Sequence, residues 1–86
     1  MKLKSGFIVH SSNNETILVP VGGSEFSGIV KGNATLGEIL ALLKTDISER
    51  ELVRAMHSRF EAPEEIIARD VKKALAELRD IGALDE

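Results

Sequence analysis

Residues 29–43, with the sequence IVKGNATLGEILALL, contain the point where the chain changes from strand-type to helix-type composition. Before residue 34, β-branched residues are separated by Gly, Ser and Asn, which is typical of short strands joined by turns. After residue 34, the common residues are Ala, Leu, Glu, Arg and Lys, which favour helices. A block of strands followed by a block of helices predicts an α+β fold.

Three short β-prone runs are found before or at this boundary: residues 7–10, 17–21 and 26–31. Residues 11–14 supply turn-forming side chains, so the first two runs are expected to form a hairpin. Pro20 donates no backbone hydrogen bond, which places it at a strand end or on the unpaired side of an edge strand. We expect a three-stranded antiparallel meander whose third strand is ended by Gly32-Asn33.

Three amphipathic helices are predicted after the boundary, each with apolar residues at helical spacing. The predicted buried stripes are Leu36, Ile39, Leu40 and Leu43, then Leu52, Val53, Met56 and Phe60, then Ile67, Val71, Leu75 and Leu78. Capping boxes are expected across Thr35–Glu38 and Ser48–Glu51, with Asn33 as an alternative cap for the first helix. Pro63 suits the first turn of the third helix, and Gly82 is the predicted stop.

Length, composition and charge exclude several function classes. The 86 residues fit one domain, covering residues 1–86. No cysteine is present, which excludes disulfides and thiolate metal sites. The apolar runs fall far short of the ~20 residues of a membrane span, and no signal peptide opens the chain, so we expect a cytoplasmic protein that binds no membrane. Eleven basic and fourteen acidic residues give a net charge of −3, which opposes nucleic-acid binding.

No group of side chains in the sequence predicts catalysis. His10 and His57 are the only side chains that titrate near neutrality, and no carboxylates accompany them at ligand spacing. Gly22-Gly23 is followed by no Lys-Ser or Lys-Thr pair, so it is not a phosphate loop. We therefore expect no catalytic residue, no metal site and no cofactor.

The remaining candidate for function is the edge of the small sheet. An open edge accepts another strand, which adds main-chain hydrogen bonds, and side-chain pockets then give selectivity. The third strand is the best candidate because Gly28 and Gly32 leave room beside its backbone and Ile29 offers an apolar contact. The alternative is that these glycines only permit twist and a tight turn, and the residues leave both interpretations open.

The third helix has a mixed flank beside its predicted buried stripe. Its residues are Ile66, Ala74 and Ala76, together with a basic cluster of Arg69, Lys72 and Lys73. Such a flank suits a peptide with hydrophobic and acidic side chains. The alternative is a solvated face on which Arg69 and Lys73 pair with Glu65 and Glu77, and for Lys72 a solvated role is favoured.

Several stretches together resemble one family in their order along the chain. They are residues 6–9, 17–20, 32–35, Ile39, Leu42-Leu43, 48–53, Arg59-Phe60, and finally Asp70-Val71, Leu75, Leu78 and 82–84. This register is similar to that of the PqqD-like family, which includes pyrroloquinoline quinone synthesis protein D and the precursor-peptide recognition elements of ribosomal peptide maturation. Leu40 stands where the family often has Trp, and residues 44–46 stand where it often has an Asp-Gly loop.

The resemblance implies a winged-helix-like domain, with a three-stranded antiparallel sheet followed by three helices, and no catalysis of its own. It also implies that the leader of a ribosomally made precursor peptide binds as an added strand and is presented to a maturation enzyme, often a radical S-adenosylmethionine (SAM) enzyme. Carried over by position, the pairing edge would be Ser27, Gly28, Ile29, Val30 and Lys31, and the opposite wall Ile66, Arg69, Lys73 and Ala76.

Two rival functions remain compatible with the same elements. A winged-helix DNA-binding regulator would contact phosphates through Arg69, Lys72, Lys73 and Arg79 on the last helix, although the net charge and the absence of a basic wing disfavour it. A dimerisation domain would instead pair its exposed strand with its own copy and form a homodimer.

Overall fold

The computed structural model describes residues 1–13, 15–21 and 30–86. The elements in chain order are β1 (Lys2–Leu3), β2 (Phe7–Ser12), β3 (Glu15–Pro20), β4 (Val30–Asn33), α1 (Ala34–Leu42), α2 (Glu49–Arg59), α3 (Glu64–Asp80) and β5 (Leu84–Asp85). Strands β2, β3 and β4 form an antiparallel sheet in that order. The predicted α+β fold, a three-stranded antiparallel sheet followed by three helices, is confirmed.

The hairpin of β2 and β3 follows from its local sequence. Asn13 adopts a left-handed backbone conformation at the turn, which Asn tolerates better than most residues. The two strands pair from Phe7 opposite Pro20 to Ser12 opposite Glu15. Pro20 is thus the last residue of β3, at a strand end as predicted.

The third strand of the sheet differs from its predicted bounds at its C-terminal end. We expected residues 26–31 with a stop at Gly32-Asn33, but β4 continues through both of these residues and α1 begins at Ala34. The physical reason is that Asn33 serves two elements, since it pairs with Glu15 in the sheet and caps α1. The first part of the predicted strand, with Ser27, Gly28 and Ile29, lies outside the described residues.

The starts of α1 and α2 are set by side-chain caps. Asn33 Oδ1 accepts a hydrogen bond from the Leu36 amide at 3.2 Å, so the predicted Thr35–Glu38 capping box is wrong and the alternative cap is confirmed. Glu38 instead forms an ion pair with Arg59, which joins α1 to α2. The Ser48–Glu51 capping box of α2 is present with both of its hydrogen bonds.

The third helix begins one residue later than predicted and ends where predicted. Pro63 precedes α3 as its N-cap residue and does not lie in the first turn. At the other end Gly82 has a φ of 71°, and its amide donates to the Arg79 carbonyl at 3.0 Å. The Ala83 amide donates to the Leu78 carbonyl at 2.8 Å, which completes a Schellman motif.

The core lies between the sheet and the three helices. Every predicted stripe residue of α1 and α3 is buried, as are Leu52 and Met56 of α2, whereas Val53 and Phe60 are half-buried. The prediction for Ala74 is wrong. We expected this residue on the flank of α3, but it is buried, with only 9% of its surface exposed. The buried face of α3 is therefore wider than its Ile, Val and Leu positions alone indicate.

A second, two-stranded sheet was not predicted. Strand β1 pairs with β5, and the amides of Leu3 and Lys4 donate to the carbonyls of Leu43 and Ala83, each at 2.8 Å. The first and last strands of the chain therefore both lie against the ends of α1 and α3. Over the described ranges, none of the helices has the length and apolar character needed to cross a membrane.

Candidate functional site

Strand β4 is an outer strand of the three-stranded sheet. Among the described residues it pairs with β3 alone, from Val30 opposite Leu18 to Asn33 opposite Glu15. In an antiparallel pair, successive residues alternate between exchanging hydrogen bonds with the partner strand and pointing these groups away from it. Alternate amides and carbonyls of β4 therefore point towards the open edge.

A groove of about 260 Å³ runs along this open edge, between β4 and α3. Its lining residues are Lys31, Gly32, Asn33, Thr35, Leu36, Ile39, Asp70, Lys73, Ala74 and Glu77. Leu36, Ile39 and Ala74 are buried and provide an apolar floor, while charged side chains stand on both walls. One wall therefore offers main-chain hydrogen bonds and the other the side chains of a helix, and this arrangement suits strand addition.

Gly32 keeps the β4 wall of this groove close to its floor. A Cβ atom at this position would lie 2.8 Å from Cβ of Leu36, closer than real Cβ contacts allow. Leu36 belongs to the first turn of α1 and is buried, so it has little room to move aside. The missing side chain is thus what allows β4 to lie directly on α1.

The structure brings together two of the predicted site residues. Lys31 is exposed on β4 and Lys73 is exposed on α3, and they stand on opposite walls of the one groove. Ile66 is 42% exposed and lies on the same face of α3 as Lys73, two turns nearer the helix start. Val30 is half-buried and packs against the core.

The other predicted positions are placed elsewhere. Arg69 and Ala76 are exposed, but neither lines the groove, because at 100° per residue they lie on the adjacent face of α3, further from β4. No ion pair joins Arg69 or Lys73 to Glu65 or Glu77, so the paired surface considered as an alternative is not seen. Ser27, Gly28 and Ile29 fall outside the residues that the structure describes.

Sequence reasoning missed the acidic side of the groove. Asp70 and Glu77 line it together with Lys73 and Ala74, so its side-chain charges balance once Lys31 is included. A signal for this face is present in the sequence, since 70, 73, 74 and 77 have the i, i+3, i+4, i+7 spacing. Because most of these residues are charged, their spacing alone does not identify the face that lines the groove. Only the packing of α3 decides which polar stripe faces β4.

The described residues offer little support for a metal site, a histidine-based active site or a DNA-binding surface. In the part of the chain that is described, no group of three side chains could hold a metal ion. His10 and His57 are both exposed and lie on different elements. Arg79, which the DNA-binding interpretation needs, donates hydrogen bonds to the Glu86 carboxylate, and this contact raises the pKa of its guanidinium.

A comparison with solved structures agrees with this architecture, whereas no curated protein matches the chain. A solved structure described as TbiB1 in complex with the TbiA(beta) leader peptide superposes with a TM-score of 0.74, at 19% sequence identity, over 99% of this chain and 100% of that one. At this identity the likeness establishes a shared fold, and neither this structure nor the family match supports a DNA-binding regulator.

The family assignment rests on the sequence itself. The family described as coenzyme PQQ synthesis protein D (PqqD) matches residues 15–84, from the first residue of β3 to the first residue of β5. The match therefore includes β4, α3 and the whole described groove between them. Since it covers most of the chain, this protein belongs to the PqqD family.

Proposed function

We propose that this chain binds the leader of a ribosomally made precursor peptide as an added strand on β4 and presents it to a modifying enzyme. The observation that carries the proposal is the open edge of β4 beside a groove with an apolar floor. Membership of the PqqD family and the fold shared with a leader-peptide complex support it.

The proposed contact surface consists of the edge strand and the facing side of α3. Its strand positions are Ser27, Gly28, Ile29, Val30 and Lys31, and its helix positions are Ile66, Arg69, Lys73 and Ala76. Lys73 is the best supported of the helix positions because it lines the groove, and Asp70 and Glu77 join it. Arg69 and Ala76 would contact only those parts of a leader that extend over the outer face of the helix.

The chain is proposed to act without catalysis of its own. Its second partner would be a radical SAM enzyme or another peptide-modifying enzyme in the cytoplasm, and that enzyme would bring the cofactors of the reaction. Among the described residues β2 pairs with β3 alone, so a bound leader on β4 would leave the β2 edge of the sheet for another contact. The alternative of a homodimer uses such an edge, so solution mass with and without leader distinguishes the two occupants.

The test compares leader binding by the unsubstituted chain with leader binding by a variant whose groove is blocked. The probe is a fluorescein-labelled synthetic leader, taken from the short precursor gene nearest to the gene for this chain. Replacing Lys73 with Trp fills the space between α3 and β4, so we expect at least a tenfold loss of affinity by fluorescence anisotropy.

The matched control is Lys72→Trp. Lys72 is the adjacent residue of α3, is also exposed, and lies about 100° around the helix, away from the groove. We expect its affinity to stay within twofold of the unsubstituted chain. The proposal is wrong if the two variants bind equally well, or if the unsubstituted chain does not bind the leader.

A further inference from the structure

A second cavity, of about 210 Å³, lies next to the groove, towards the N-terminal end of α3. Its lining residues are Thr35, Met56, Phe60, Glu61, Ala62, Ile67, Asp70 and Val71. Thr35 and Asp70 also line the groove beside β4, so the two spaces are neighbours that share these side chains. A peptide that lies along β4 and extends past Asn33 would come next to this second cavity, which we call the end pocket.

The end pocket combines an apolar floor with an acidic rim. Met56, Ile67 and Val71 are buried at its base, and Phe60 is half-buried beside them. Its volume is suited to one apolar side chain. The floor thus provides a place where a peptide side chain would be removed from water, which stabilises a complex in proportion to the area buried.

The rim carries two carboxylates, those of Glu61 and Asp70. Both residues are exposed, and neither forms an ion pair within the described part of the chain. Glu64 and Glu65 lie in the first turn of α3, where acidic side chains offset the positive end of the helix dipole. Because Glu61 and Asp70 have no such role and no ion pair in the described residues, their charges remain available for a basic group of a ligand.

The position of the end pocket sets a direction for the bound peptide. β4 runs from Val30 to Asn33, and Thr35 follows it at the entrance of the pocket. Strands β2, β3 and β4 are all antiparallel, and antiparallel pairing is the more stable kind per residue. A guest strand antiparallel to β4 has its N-terminal end next to Asn33, and so next to the end pocket.

From these observations we infer that the end pocket takes an apolar side chain of the leader, N-terminal to the segment paired with β4 and next to a Lys or Arg. This inference rests on the proposed function and adds to it the position, polarity and direction of one recognition element.

The test is a selection that assumes no leader sequence. A library of random 15-residue peptides is displayed on its encoding mRNA and selected against the full chain. We expect the enriched peptides to share a Leu, Ile, Met or Phe with a neighbouring Lys or Arg, followed on the C-terminal side by a β-prone segment. In the best of these peptides, replacing the shared apolar residue with Ala is expected to weaken binding at least tenfold.

Two changes in the chain link this effect to the end pocket. Ala62→Phe fills the cavity, so binding should fall at least tenfold, and the Ala-substituted peptide should then bind no more weakly than the parent peptide. Asp70→Lys should weaken the parent peptide at least fivefold. Its matched control is Asp80→Lys, which makes the same charge change on an exposed residue of α3 about 15 Å away along the helix.

The outcomes separate this inference from the proposed function. Enriched peptides with a β-prone segment but no shared apolar residue, or with that residue on the C-terminal side, would overturn the inference and leave strand addition standing. If Ala62→Phe folds normally by circular dichroism and the peptide substitution still costs tenfold in it, the inference is also overturned. A selection that enriches no peptide at all would count against the proposed function itself.

Discussion

At the scale of single residues, Gly32 joins the stability of the fold to the shape of the groove. It lies in the edge strand, lines the groove and rests on Leu36 of α1. Gly37 has a similar place in α1, because a Cβ atom there would lie 2.7 Å from the hydroxyl oxygen of buried Thr16. The missing side chains at these two positions allow β3 and β4 to lie close against the first helix.

Replacing Gly32 with Ala is expected to destabilise the protein. The added methyl group would overlap Cβ of Leu36, which is fixed by the backbone of α1, so strand and helix would have to separate. Overpacking of this kind costs about 1–3 kcal/mol of unfolding free energy. Urea unfolding followed by circular dichroism measures the change.

The control for this substitution is Lys31→Ala, on the exposed neighbouring position of β4. Its unfolding free energy should stay within about 0.5 kcal/mol of the parent value. An unchanged urea midpoint for Gly32→Ala would mean that β4 does not rest on Leu36 as described.

At the scale of elements, the second helix is the one whose start is most completely determined by its own residues. Ser48 accepts a hydrogen bond from the Glu51 amide at 3.1 Å, and Glu51 accepts one from the Ser48 amide at 3.2 Å. No tertiary contact is needed for this motif, which explains why the sequence predicts it correctly. At the start of α1, Asn33 and Thr35 both carry a suitable side-chain oxygen, and only the end of β4 decides between them.

Replacing Ser48 with Ala is expected to lower the unfolding free energy by about 1 kcal/mol, since one amide at the start of α2 loses its acceptor. Ser58→Ala is the comparison, because the exposed Ser58 hydroxyl bonds only to the Ala55 carbonyl near the end of the same helix. We expect a smaller loss for Ser58→Ala in the same urea titration. Equal losses from the two substitutions would contradict a stabilising role for the capping box.

At the scale of the whole molecule, the local patterns predict the elements, and the long-range contacts determine the site. The buried stripes of α1 and α3 are correctly predicted, because helical spacing of Leu, Ile and Val is a local property. The pairing of Lys2 with Asp85 is not predicted, since two-residue strands at opposite ends of a sequence have no periodicity to detect.

The groove shows the same division between local and long-range information. The sequence indicates an edge strand and the helix that faces it, and it places Lys31 and Lys73 at the site. It does not indicate that Asp70 and Glu77 face β4, because the rotation of α3 depends on how Leu75 and Leu78 pack in the core. Ala74 was misplaced for the same reason.

The central claim is that main-chain hydrogen bonds to β4 hold the guest peptide. Two versions of the leader used in the titration test it most directly, each with N-methyl groups on alternate residues of the paired segment. Only one set of amides can face β4, and two or three lost hydrogen bonds of about 1 kcal/mol each correspond to at least a tenfold loss of affinity. We predict that one version loses at least tenfold while the other stays within threefold of the parent peptide. Equal affinities for the two versions would contradict strand addition on β4.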